Sequence, residues 1–126
     1  MEKHTLLTQS EWKLMELLWQ KPHTLMELVA TLGETVLWTK STVATMVRRM
    51  EAKGLIRYET EDRAKLFIPC VSREEASVKE AHSLLDKAYE GSIGLMVSSL
   101  IRQGSLTRED IDELYAILQK AEEGQL

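Results

Sequence analysis

Between positions 40 and 49, Lys40, Ser41, Thr42, Thr45, Arg48 and Arg49 place three hydroxyls and three cations together with no acid among them. Hydroxyls can bond donors or acceptors on base edges. Short side chains permit close approach to a duplex, and guanidinium groups suit phosphate or guanine. A face that was merely solvated would mix Glu with Lys. Setting successive residues about 100° apart puts Val43, Met46, Val47 and Met50 on one side of a helix and Ser41, Thr45, Arg48 and Ala52 on the other. Residues 39–57 hold Lys40, Arg48, Arg49, Lys53 and Arg57 against Glu51 alone, a local excess of +4 in a chain whose net charge is −4. Residues 1–72 carry +1 and residues 73–126 carry −5, so the basic stretch can meet phosphate although the whole is acidic.

Catalysis would require a nucleophile, a base and an orienting group that could converge. His4 lies near the start, His23 between two helices and His82 on a C-terminal helix, none in a zinc-binding spacing, so each reads as a surface or capping histidine. Cys70 is the single cysteine and can form neither an intrachain disulfide nor a thiolate cluster. The six glycines are scattered and make no phosphate cradle. These absences point away from an enzyme and predict no metal and no cofactor.

The elements that would position the basic helix start at capping boxes, where a hydroxyl accepts an orphan backbone N–H and an acid three residues on answers it. Thr8 to Glu11 opens a helix reaching about Trp19, with Trp12, Met15 and Trp19 on one face. Thr24 to Glu27 opens a second, carrying Leu25, Leu28, Val29 and Leu32 at helical spacing, with Gly33 as its terminator. The third begins near Thr39 and stops at Lys53-Gly54. Beyond it, residues 55–59 and 66–68 alternate as strands, joined by the charged residues 60–65. Three helices and a hairpin, in that order, predict a winged helix-turn-helix over residues 1–71. Arg63 and Lys65 sit at the wing tip as auxiliary phosphate contacts, opposed by Glu59, Glu61 and Asp62.

Residues 72–126 read as three more amphipathic helices, making the chain mainly α. Their stripes contain Leu84 and Leu85, then Ile93, Met96, Val97, Leu100 and Ile101, then Ile111, Leu114 and Leu118. So short a segment rarely buries enough apolar surface to fold alone. It must pack back on the first domain or meet a second copy, and the extent of the stripes favours a homodimer. At 126 residues, 44% apolar and 29% charged, the chain has the composition of a soluble globular protein. Its C-terminal uncharged run, residues 91–101, is about half the ~20 apolar residues of a membrane span. The first residues lack the pattern of an export signal. A cytoplasmic protein without membrane insertion is expected.

Trp38-Thr39-Lys40-Ser41-Thr42-Val43-Ala44-Thr45-Met46-Val47-Arg48-Arg49-Met50, followed by Lys53-Gly54-Leu55-Ile56, resembles the recognition-helix signature of the BlaI/MecI penicillinase-repressor family, which includes the CopY-type copper-responsive repressors. Leu7-Thr8-Gln9-Ser10-Glu11-Trp12 is similar to that family's first helix and residues 106–114 to its last, so the resemblance spans nearly the whole chain. It implies a homodimeric repressor reading an inverted-repeat operator, with a C-terminal helical dimerisation domain. Thr39, Lys40, Ser41, Thr42, Thr45 and Arg48 match the DNA-facing positions, with Arg49 on phosphate. It also implies a membrane sensor-protease system as partner. Where the antibiotic-responsive members are cleaved at Asn-Phe, however, this chain has Ser99-Leu100, and residues 120–126 lack the cysteines of the copper-responsive members. The reading from a different class is a winged-helix protein-interaction module, whose third helix docks on a protein instead of DNA.

Overall fold

The computed structural model describes residues 6–126, so His4 and the first residues read for an export signal lie outside it. The element order is α1 (Gln9–Gln20), α2 (Leu25–Thr35), α3 (Lys40–Ala52), β1 (Ile56–Glu61), β2 (Ala64–Pro69), α4 (Arg73–Tyr89), α5 (Ile93–Arg102) and α6 (Arg108–Glu122). It is a mainly α winged helix followed by further helices. The capping chemistry is as the sequence predicts. Thr8 Oγ1 accepts from Glu11 N at 3.1 Å while Glu11 Oε1 accepts from Thr8 N at 2.9 Å, and Thr24 with Glu27 repeats the exchange on α2. Each such cap contributes about 1 kcal/mol.

Leu14, Met15 and Leu18 of α1, Leu28 and Leu32 of α2, and Val43, Val47 and Met50 of α3 form one buried cluster. Leu55, Ile56, Phe67 and Val71 close it from the hairpin side. Fully burying side chains of this size favours folding by about 1.5–3 kcal/mol each, which is why α3 has a fixed inner face and therefore a fixed outer one. Gly54, at φ 80°, ends α3 in the left-handed conformation that glycine tolerates without strain, and Leu55 N reaches back to Met50 O at 3.0 Å.

Three local expectations are corrected. The helix α2 does not end at Gly33: it runs to Thr35, and the left-handed residue beyond it is Leu37, at φ 61°. Burial of Leu32, whose carbonyl accepts from both Val36 N and Trp38 N, holds the last turn past the glycine. The connection read over residues 60–65 is a tighter turn. Thr60 pairs with Lys65 and Glu61 with Ala64, leaving Asp62 and Arg63 at φ 51° and 69° as a two-residue turn of the kind that matches strand twist. His23 is not on the surface. It is 7% exposed, exchanges backbone hydrogen bonds with Phe67, and its Nδ1 lies 2.8 Å from Lys21 O.

Contacts divide the chain after Glu80, inside α4, leaving Ala81–Leu126 as the second unit. The start of α4 belongs with α1 because Arg73 is ion-paired to Glu16 and lies over the Trp19 ring. In the second unit, α5 starts on a Ser92 cap and α6 on a capping box of Thr107 with Asp110, yet neither helix buries any residue.

Candidate nucleic-acid interface

The helix α3 is oriented by its buried stripe, and the hydroxyl and cationic residues lie on what remains. Lys40, Ser41, Thr42, Arg48 and Arg49 are exposed, and Thr45 is half-buried. Thr39 is the cap: its hydroxyl accepts from Thr42 N and donates to Thr42 Oγ1, both at 3.1 Å. It therefore fixes the first turn, while the Thr42 hydroxyl keeps its own proton to donate outward. Arg48 Nη2 lies 3.5 Å from Thr45 Oγ1, one turn back, so these two side chains lean together on the outer face. No acid occupies the first turn of α3, in contrast to α1, α2, α4 and α6. The partial positive charge of its N-terminus is thus unopposed next to Lys40.

Counting cations overstates this surface. Lys53 is tied to the buried carboxylate of Glu11, and Arg57 to Glu59 at 3.0 Å. Among the described residues Lys40, Arg48 and Arg49 have no ion-pair partner, and these three are what α3 can offer phosphate. In the wing, Arg63 is exposed within the turn and Lys65 lies across the hairpin with its Nζ 4.3 Å from the Tyr58 ring centre. Tyr58 in turn meets the buried Phe67 edge to face at 6.0 Å, which stiffens the hairpin beneath these cations. Pairing of Arg57 with Glu59 removes one of the charges that would repel phosphate there.

Two features escaped the sequence reading. Glu11 and Lys53 are 42 positions apart, and no spacing rule links them. Leu37, in the turn leading into α3, is 84% exposed, an apolar side chain held outward beside the helix start by its backbone conformation.

The residues read as dimerisation contacts divide by exposure. Leu84, Ile93, Ile101 and Leu118 are exposed, Met96, Val97, Leu100, Ile111 and Leu114 are half-buried, and Leu85 is buried. Among the described residues no group of His, Cys, Asp or Glu could hold a metal ion, and none of the helices is long and apolar enough to cross a membrane.

The family model of the penicillinase repressors matches residues 7–120. The penicillinase repressor of Bacillus licheniformis is 27% identical over 121 residues, covering 95% of this chain and 94% of that protein. The methicillin resistance regulatory protein MecI of Staphylococcus aureus (strain N315) is 22% identical over 115 residues, covering 90% and 94%. The solution structure of the DNA binding domain of the repressor BlaI superposes with a TM-score of 0.53 at 24% identity, over 60% of this chain and 93% of that one. That likeness is one of fold, and the fold is the winged helix.

Proposed function

This chain belongs to the penicillinase repressor family, whose members are DNA-binding transcriptional repressors and not enzymes, and from that premise we propose that it acts as a cytoplasmic homodimer on an inverted-repeat operator. Each protomer would set α3 in a major groove, the two grooves about one helical turn apart. Thr42, Thr45 and Arg48, with Ser41, would read base edges. Lys40 and Arg49 would bind phosphate, with Arg63 and Lys65 as lesser contacts, and Thr39 would hold the first turn. The observation that carries this reading is the open outer face of α3, whose hydroxyls and unpaired cations point away from the core that fixes the helix.

The homodimer is supported by α5 and α6, which bury no residue and expose Ile93, Ile101 and Leu118. Apolar stripes left open in the single chain are what a two-fold interface would cover. Induction by a membrane sensor-protease would have to act on a chain with Ser99-Leu100 in α5, so cleavage of an Asn-Phe bond there is not part of the proposal.

The test is an anisotropy titration of the full chain with duplexes it selects from a random library, against scrambled duplexes, at two salt concentrations. Tight binding that falls steeply with salt and favours the selected inverted repeat supports the proposal. A helix that docks on protein would show neither affinity nor salt-dependent release.

A further inference from the structure

The turn between α2 and α3 holds an apolar side chain in solvent. Val36 and Trp38 both pack against the buried cluster, and the Leu32 carbonyl accepts from both their backbone N–H groups, at 3.1 and 3.2 Å. Leu37 between them is turned outward, 84% exposed and at φ 61°. Glycine takes that left-handed conformation after a helix without strain, and asparagine with little, whereas a bulky apolar residue is strained there. Among the described residues the other non-glycine residues at positive φ are Asp62, Arg63 and Glu90, each charged and suited to solvent.

A lone exposed leucine is ordinary on a protein surface, but in the single chain no burial offsets the strain on this one. Its place supplies the partner. Leu37 is three residues from Lys40, at most about 10 Å of chain, which is about three base-pair steps of 3.4 Å. Thr39 between them caps α3, whose first turn carries no acid, so a duplex drawn to that N-terminus comes within reach of Leu37. Leucine has nothing to offer phosphate. On the major-groove edge of the bases the one apolar group is the C5-methyl of thymine. We infer that Leu37 is a specificity-determining residue, whose side chain packs on the C5-methyl of a thymine beside the bases read by α3. The inference rests on the reading that α3 enters a major groove. It adds to the hydroxyls and Arg48 a contact that discriminates by shape instead of by hydrogen bonding. The strain of the turn is held in the free chain, and the contact that offsets it is made only on DNA.

The test uses the full chain and a duplex it has selected, with each thymine in turn replaced by uracil, which removes the methyl and keeps every hydrogen-bonding group. One position in each half-site should lose about fourfold in affinity for the methyl removed. Leu37→Gly keeps the left-handed turn, and Leu37→Asn puts a polar side chain in a conformation it tolerates. Each should bind the thymine duplex more weakly by about the same factor for each half-site and show no further loss when that thymine becomes uracil. Their response to uracil at other positions, and their salt slope, should match the wild type. A role limited to shaping the turn would leave the methyl sensitivity in both variants. Variants that keep the wild-type sensitivity, or a wild type that binds thymine and uracil duplexes equally at every position, would overturn the inference alone. Leu37→Gly that weakens self-association in sedimentation while methyl sensitivity persists would turn this side chain toward a second copy and overturn it too. A wild type that binds selected and scrambled duplexes alike would overturn the reading of α3, and this inference with it.

Discussion

Lys53, at the end of α3, lies with its ammonium 2.5 Å from the carboxylate of Glu11 in the first turn of α1, and that carboxylate is only 5% exposed. The other Glu11 oxygen accepts from Thr8 N, so one acid caps α1 and anchors the far end of the reading helix. A buried carboxylate is costly without a partner, so the pair fixes position more than it adds net stability.

Lys53→Ala should destabilise the fold by about 1–3 kcal/mol, because it strands a buried charge whose partner was itself part-exposed. Urea unfolding measures the loss. Since Lys53 is committed to Glu11, the same variant should leave the salt slope of DNA binding unchanged.

Arg49→Ala should reduce the salt slope by about one and weaken selected and scrambled duplexes alike. Thr45→Ala should instead narrow the gap between them, by about 1 kcal/mol or more. Competition titrations with both duplexes separate the outcomes, and equal losses on both for both variants would count against the assignment.

Leu37→Gly should stabilise the chain by about 1 kcal/mol, as glycine relieves a left-handed backbone and the side chain lost is mostly in solvent. A higher midpoint in thermal unfolding is the expected result.

Ile93→Asp, placed on the exposed stripe of α5, should weaken self-association by about 3 kcal/mol by burying a charge in the proposed interface. Sedimentation equilibrium should show monomers, with the circular dichroism of the chain retained.

The helical order and the inward face of α3 were legible because capping boxes and a period of 3.6 are local signals, written within four to seven positions. Ser41 and Arg48 could be placed outward for the same reason. Other features depend on partners distant in sequence. His23 is buried by its bridge to Phe67, which no neighbour of His23 announces. Lys53 looked like a cation free for phosphate because Glu11 is far away along the chain. Gly33 looked like a stop because glycine ends many helices, yet the burial of Leu32 outweighs that preference. At the wing, charge marked residues 60–65 as the connection of the hairpin, whereas strand pairing carried through to Glu61 and Ala64.

Entry of the outer face of α3 into DNA is tested residue by residue by amide and methyl chemical-shift mapping of the labelled full chain with a selected duplex. The largest perturbations should fall on Ser41, Thr42, Thr45 and Arg48, with smaller ones at Arg63 and Lys65 and none on the buried Leu14 or Leu28. A tightly bound duplex that shifts other surfaces and leaves those four α3 residues unmoved would contradict it.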